Sequence, residues 1–320
     1  MPRTLRIASL LPSATEIVCA LGLRDALVGV SHECDWPPQV VGLPVLTRAR
    51  LAPPSAAGSG AIDQEIRDAL RDALSIYEVD LEALRAAAPD VVITQDLCEV
   101  CAVSRDDVVG ALREAGLADA RVVSLRPERL EDVWEDVRRV AVATGVPSAA
   151  DAVLARLLAR VDAVRERASA ASANAAEPHV LTLEWLEPPM VGGLWMPELI
   201  ALAGGVPLLA APGQRAPTIP AHALERLSPR PDVVLLKPCG YPLAQTQAEL
   251  PRIRRLLATR PWPAVRDGRV FAADGSAYFN RPGPRLVDSL ELLAGLLHPR
   301  AFADHAERYA PAWTTIDLGA

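Results

Sequence analysis

Residues 148–170 read SAADAVLARLLARVDAVRERASA and lie almost at the middle of the 320-residue chain. Val153, Leu154, Leu157, Leu158, Val161 and Val164 recur at helical spacing, with Arg156, Arg160, Asp162, Arg165 and Glu166 on the other face. Pro147 stops any earlier element, Ser148 suits an N-cap, and Asp151 stands in the first turn. A helix of roughly 22 residues is about 33 Å long at 1.5 Å per residue. That is long enough to run along two lobes rather than inside one.

The flanks of this helix resemble each other. Before it stand Val79-Asp80-Leu81-Glu82-Ala83-Leu84, then Pro89-Asp90-Val91-Val92-Ile93, then a loop with Cys98. After it stand Ile219-Pro220-Ala221-His222-Ala223-Leu224, then Pro231-Asp232-Val233-Val234-Leu235-Leu236, then a loop with Cys239. Each set reads as a short helix, a Pro-Asp turn, a buried strand and a polar loop, a pattern that α/β proteins in general also use. The pairing predicts an α/β protein of two similar three-layer lobes joined by one long rigid helix, with a ligand cleft between the lobes. The first lobe is expected over 1–146, the helix over 147–176, the second lobe over 177–300, and a tail over 301–320.

Half of the chain is hydrophobic and 23% is charged, an ordinary globular balance with ample core. The net charge of −7 and the lack of any Lys/Arg run argue against nucleic acid or an anionic membrane as partner. No segment approaches the ~18 apolar residues of a membrane span. Arg6 interrupts any apolar stretch at the N-terminus, so no secretory leader is read there. Five cysteines, an odd number, suit a reducing compartment better than a disulfide framework.

Taken in order, Leu5 to Leu10 predicts a first buried strand, and Ser13-Ala14-Thr15-Glu16 a capping box opening a helix that Gly22 closes. Such a helix start aims free N–H groups at the space above the strand end. Ala26 to Val30 predicts a second strand feeding Ser31-His32-Glu33-Cys34-Asp35-Trp36, a loop fixed by Pro37 and Pro38. In doubly wound sheets ligands sit at such strand ends. Val41 to about Gly60 reads as irregular, and a helix through Ile62, Ile66, Leu70 and Leu74 is ended by Tyr77. The strand from Val91 delivers Gln95-Asp96-Leu97-Cys98 and the pair Cys98/Cys101. A structural zinc site wants a second such pair, which is lacking. A metal completed by His32 and Cys34, a redox dithiol, and plain packed or ligand-facing thiols all remain open. Trp134 and Cys19 read as core.

In the second lobe a strand from His179 to Leu183 is expected to end in a loop from Glu184, which continues through Trp185, Gly192-Gly193 and Trp195. The strand Val233 to Leu236 ends at Lys237-Pro238-Cys239-Gly240-Tyr241. A last strand at Arg269 to Ala272 leads into Asp274 to Pro284, then a closing helix from Arg285 to Leu297. No element is read beyond His298. With only 6 Trp, 4 Tyr and 3 Phe, the placing of aromatics is informative. Trp36, Tyr77, Trp185, Trp195, Tyr241, Tyr278 and Phe279 all fall in or beside strand-end loops, as a cleft for a large, flat, partly apolar ligand would require.

Leu11 to Glu16, Gly29 to Asp35, Thr94 to Cys101, Leu183-Glu184-Trp185, Pro238-Cys239-Gly240 and Asp274 to Pro284 together resemble a known family. It is the cobalamin-binding proteins related to the helical-backbone (class III) solute receptors of vitamin B12, siderophore and haem ABC importers. The likeness runs from about residue 5 to 298. It implies non-enzymatic binding of cobalamin or a related corrinoid between the lobes, with no other cofactor. The implied lining is Ser13, Ala14, Thr15, His32, Glu33, Cys34, Asp35, Trp36, Tyr77, Gln95, Asp96, Leu97, Cys98, Trp185, Trp195, Gly240, Tyr241, Ser276, Tyr278, Phe279 and Arg281. His32 either shapes the site by bonding a neighbouring loop or coordinates the corrin cobalt, imidazole being a common metal ligand. Importer receptors of the family are exported and dock through an acidic residue on each lobe. Here the repeat places Glu82 and His222, and no leader is read. The expectation is therefore a cytoplasmic protein for corrinoid storage or hand-over to a corrinoid-handling protein. The alternatives are an exported substrate-binding subunit of a B12-type ABC importer, periplasmic in that case, and an enzyme using His32, Glu33, Cys34, Asp35 and Cys98 on a metal or corrinoid. No phosphate loop, nucleophile elbow or His-Glu-x-x-His motif supports the enzyme.

Overall fold

Short apolar runs separated by Pro, Asp and Gly give this chain many brief strands, each fed by a tight turn. A computed structural model describes residues 4–49, 58–71, 77–96, 103–173 and 176–319. Two units divide the chain: Met1–Ala56, Gln64–Arg156 and Pro282–Pro284 in the first, and Ala57–Asp63, Leu157–Arg281 and Arg285–Ala320 in the second.

The first unit runs β1 (Ile7–Ser9), α1 (Pro12–Ala20), β2 (Leu27–Val30), β3 (Thr47–Ala49), α2 (Ser59–Arg71), β4 (Tyr77–Val79), α3 (Leu81–Ala87), β5 (Val91–Gln95), α4 (Arg105–Glu114), β6 (Arg121–Leu125), α5 (Leu130–Ala143) and into α6 (Pro147–Ser172). Its main sheet is parallel in the order β2-β1-β5-β6. Side chains alternate across a strand. Ala8 and Val92 therefore share one face, where they pack with Leu84 of α3 and Val108 and Leu112 of α4. Helices α1 and α5 pack together against the other face, and three layers result.

The second unit continues through β7 (His179–Leu186), β8 (Pro189–Val191), α7 (Met196–Leu202), β9 (Val206–Pro207), β10 (Val233–Leu236), α8 (Leu243–Ala248), α9 (Leu250–Leu257), α10 (Pro263–Arg266), β11 (Val270–Ala273), α11 (Leu286–Leu297), α12 (Ala303–Arg308) and β12 (Trp313–Thr315). Its parallel strands stand in the order β9-β7-β10-β11, the arrangement of the first sheet repeated, with antiparallel β8 and β12 added. Leu181, Leu183, Val234, Leu236 and Val270 pack with Ile253 and Leu257 of α9 and with Trp262. Helices α7 and α11 pack together on the other side of the sheet.

The Pro-Asp turns do the same work in both units. Asp90 Oδ2 accepts the N–H of Arg6 at 3.0 Å, and Asp232 Oδ2 accepts that of His179 at 2.9 Å. Each Asp N–H donates to the carbonyl of the same partner at 2.8 Å. The turn before the central strand thus locks the start of the first strand, and register follows from that bond pair.

Helix α6 joins the lobes. Its residues through Arg156 belong to the first unit and those from Leu157 to the second. Ala150, Val153, Leu154, Leu157, Val161, Val164 and Ala168 are buried along one stripe. Leu158, expected in that stripe, is 38% exposed. Helix α2 is also shared, because its first residues belong to the second unit and the remainder to the first.

Several local expectations change. Helix α1 starts at Pro12, with Leu11 at the N-cap and no side-chain cap. Proline's fixed φ favours the first helical position, so Ser13 and Glu16 lie inside the helix and no capping box forms. The stretch 41–60 contains β3, and Tyr77 opens β4 rather than ending a helix. These two three-residue strands pair with each other, and each alone is too short to leave a periodic signal. Strand β7 continues past Leu183 to Leu186 and turns back into β8, so Glu184 and Trp185 sit on a strand. His222 lies in a 3-10 turn, Ala221–Arg226. The chain after His298 forms α12 and then β12, which adds to the edge of β11.

Candidate functional site

Parallel strands bring their C-terminal ends to one edge of a sheet, and loops leaving that edge are where open α/β sheets hold ligands. In the first lobe the edge carries the ends of β1, β2 and β5. Thr15, in the first turns of α1, is buried; its hydroxyl donates to Ser9 Oγ at 2.8 Å and lies 3.0 Å from Cys34 Sγ. Ser13 and Ala14 are buried beside it. Gln95 ends β5 and is buried, whereas Asp96 is exposed and donates its N–H to Leu125 O.

The β3–β4 ribbon braces the His32 loop. His32 Nδ1 lies 2.8 Å from Thr47 Oγ1 on β3, and the hydroxyl of Thr47 also meets Ser31 Oγ at 3.2 Å. The Tyr77 hydroxyl on β4 donates to Glu33 Oε1 at 2.8 Å, and its ring centroid is 5.1 Å from that of His32. His32, Glu33, Asp35 and Trp36 are exposed and Cys34 is half-buried. Trp36, 44% exposed, is a large apolar surface on this loop. Thr47 was not singled out in the sequence, since a ribbon this short hides its pairing. Leu97, Cys98 and Cys101 lie outside the described residues.

In the second lobe Trp185 stands against Tyr241, ring centroids 5.3 Å apart and near edge-on, and both are buried. Burial, then the charge of Glu249, pushes the Tyr241 phenol up to about 12, so it stays protonated. Trp195 is buried and donates Nε1–H to Phe279 O at 2.7 Å. Phe279 is held at φ +66°, a costly conformation for a bulky residue, and its N–H donates to Ser289 Oγ. Tyr278 is half-buried under the Arg285 guanidinium at 4.9 Å. The Asp274 carboxylate accepts the N–H groups of Ser276 and Ala277. Gly240, at φ +75°, is exposed, and Arg281 is half-buried.

Lys237 and Glu184 stand outside the implied lining, and Asn280 falls within its loop from Ser276 to Arg281. Lys237 is wholly buried just past β10; its Nζ donates to Glu184 Oε2 at 3.0 Å and Asn280 Oδ1 at 2.7 Å. Asn280 Nδ2 donates in turn to Lys237 O and Gly275 O. Their proximity comes from strand pairing and a loop about 40 residues on, which leaves no local signal.

Among the described residues no group of three or more His, Cys, Asp or Glu side chains is placed to hold a metal ion. Burial pushes the Cys19 thiol up to about 11, which keeps it an inert packed group.

Two α/β lobes of repeated topology on a long helix define a helical-backbone solute-binding protein. The chain belongs to the periplasmic binding protein family, whose profile matches residues 7–277. It is 23% identical over 293 residues to a vitamin B12-binding protein of Vibrio cholerae serotype O1, covering 89% of this chain and 86% of that one. Its fold is similar to a periplasmic heme binding protein from Pseudomonas aeruginosa (TM-score 0.68, 24% identity, 92% and 93% of the two chains). It is also similar to the periplasmic vitamin B12 binding protein BtuF of Vibrio cholerae (TM-score 0.61, 20% identity, 91% and 96%). The family binds solutes and is not catalytic, so the enzyme alternative falls away.

The expectation of a cytoplasmic storage or hand-over protein is corrected by the same findings, since the family and these neighbours are periplasmic binding proteins. That expectation rested on the first few residues and the pair Glu82/His222. The matched region begins at residue 7 and is indifferent to what precedes it.

Proposed function

We propose that this protein is the solute-binding subunit of an ABC importer, working outside the cytoplasmic membrane, and that its solute is a B12-type cobalt corrinoid. The observation that carries the reading is the concentration of rings in each lobe on the loops leaving the C-terminal strand ends and on the elements beside them: His32, Trp36 and Tyr77 in the first, Trp185, Trp195, Tyr241 and Tyr278 in the second. Such loops suit a large flat solute with polar edges. The chain-long likeness to a vitamin B12-binding protein supports the corrinoid. Thr15, Cys34, Glu33, Asp35, Gln95, Asp96, Gly240, Ser276 and Arg281 supply polar edges or close backbone approach. Leu97 and Cys98 complete the proposed lining.

His32 shapes its loop through Thr47 in this reading. Its Nδ1 is engaged, so coordination of cobalt would fall to Nε2. A haem is the second reading, favoured by the TM-score of 0.68 to a heme binding protein.

The test is a visible-absorption titration of the purified protein with cyanocobalamin and with haemin, alongside fractionation of the producing cells. Saturable binding of cyanocobalamin by an exported protein is expected. Binding of haemin alone would transfer the assignment to the second reading, and retention of the protein in the cytoplasm would sink the importer role.

A further inference from the structure

Lys237 is 0% exposed, although it is an ammonium-bearing side chain. Burying a charge is costly unless it is paired and hydrogen-bonded. Its partner Glu184 is not buried to the same degree, its side chain being 21% exposed. One carboxylate oxygen, Oε2, takes the Lys237 bond. Among the described residues the other oxygen, Oε1, meets no hydrogen-bond donor.

The surroundings hold this carboxylate still. Glu184 lies one residue past the parallel pairing of β7 with β10, at the C-terminal edge of the sheet. Its carbonyl accepts the N–H of Cys239 at 3.0 Å, and Lys237 N–H donates to Leu183 O at 2.9 Å. The lysine stem crosses Gly192, where an added Cβ would stand 3.2 Å from Lys237 Cε and 2.5 Å from Thr182 Oγ1. Asn280 spends its amide on Lys237 and Gly275. At Gly275 a Cβ would stand 2.1 Å from Pro238 O, so only glycine lets the loop come this close. Trp185, the next residue, carries a buried Nε1–H without an acceptor among the described residues. Here the ammonium is sealed in, and the partly exposed Glu184 side chain stands at the C-terminal edge of the sheet, where open α/β sheets hold ligands.

We propose that Glu184 contacts the solute and selects it by accepting a hydrogen bond from a neutral amide N–H, with Lys237 and Asn280 as its positioning residues. Lys237 offsets the carboxylate's charge, and the second oxygen accepts a hydrogen bond that an amide N–H can donate and an ionised carboxylate, an acceptor only, cannot. The class of solute selected is therefore a corrinoid whose edge groups are amides, against ring systems edged by carboxylates. The inference rests on the corrinoid reading above.

The test uses two matched corrinoids, dicyanocobinamide with amide edges and dicyanocobyrinic acid with carboxylate edges, titrated into the full chain. Wild type is expected to favour the amide form by about tenfold or more, the scale of one hydrogen bond to a charged group. Glu184→Gln keeps a carbonyl for Lys237 and turns an NH₂ donor outward. It should weaken the amide form about tenfold and strengthen the acid form, bringing the two together or inverting them. The double variant Glu184→Leu/Lys237→Met removes both charges at once, a change that buried pairs tolerate in folding. It should lose the amide preference while keeping a cooperative melt. Equal binding of the two corrinoids by wild type, or unchanged amide preference in Glu184→Gln, overturns the proposal and leaves the pair a packing device. Wild type that takes haemin and neither corrinoid overturns the corrinoid reading itself, an outcome seen before any variant is made.

Discussion

Single side chains in this protein divide by what surrounds them rather than by type. Trp134 is buried within α5, a helix of the first lobe, while Trp185 sits at a strand end against Tyr241. Trp185→Ala and Tyr241→Ala are expected to weaken cyanocobalamin binding by about 1–3 kcal/mol each in equilibrium titration. Trp134→Ala is expected to lower stability by about 3 kcal/mol in denaturant melts and leave affinity unchanged. Matching behaviour of the two sets would remove the distinction. Asp136 is a different case: it is buried, and one carboxylate oxygen lacks a partner among the described residues. Burial pushes its carboxyl up to about 7, with Arg139 opposing. A carboxyl raised in the folded state favours folding most when it is protonated. Its contribution is therefore full below the unfolded value near 4 and declines as pH rises towards 7. Asp136→Asn should raise the melting temperature at pH 8 relative to wild type, with the gain shrinking to nothing near pH 4. A pH-independent difference would contradict the titration.

At the scale of elements, α6 and α11 are held together by charge as well as by packing. Arg160 Nε donates to Glu291 Oε1 at 2.8 Å and Nη2 to Asp288 Oδ1 at 2.5 Å, and the Tyr309 hydroxyl adds a bond to Glu291 at 2.6 Å. Burial pushes Glu291 up, but the hydrogen bonds from Arg160 and Tyr309 outweigh it and hold the carboxyl below its usual range. A depressed carboxyl stabilises above its unfolded value and loses that contribution as pH falls through the folded one. Acid melts below about pH 4.5 should therefore weaken this contact. Arg160→Ala is expected to cost about 2 kcal/mol at pH 7, after allowance for the arginine's partial exposure, and much less at pH 3. An equal cost at both values would show that packing alone carries the α6–α11 contact. The Pro-Asp turns act at this scale too. Asp232→Ala removes one carboxylate bond to a strand start and should lower stability by about 1–2 kcal/mol, measured by denaturant unfolding.

For the molecule as a whole, solute and stability are linked. A solute that binds the folded chain alone stabilises it in proportion to the logarithm of its concentration over Kd. Cyanocobalamin at about 100 times its Kd should add about 2.7 kcal/mol, read as a rise in melting temperature that continues with further solute. Haemin at the same concentration should raise it less. The reverse order would favour the haem reading of the same fold.

The sequence by itself determined the architecture. The heptad-like stripe of α6 and the repeated Pro-Asp-apolar runs are local signals, and Asp90 and Asp232 act locally enough that each turn carries its own instruction. Loops fixed by Pro37 and Pro38, and the strand ends at Gln95 and Tyr241, were legible for the same reason. Tertiary structure alone decided what those loops touch. Thr47 reaches His32 because two three-residue strands pair across a gap of about 30 residues, too brief for any periodicity. Lys237, Glu184 and Asn280 converge only after β7 and β10 align in register and the loop after β11 folds back. Trp313–Thr315 becomes a strand only because β11 presents an open edge. Pairing partners distant in sequence leave no trace in composition or spacing, so the site's polar network waited for the folded chain.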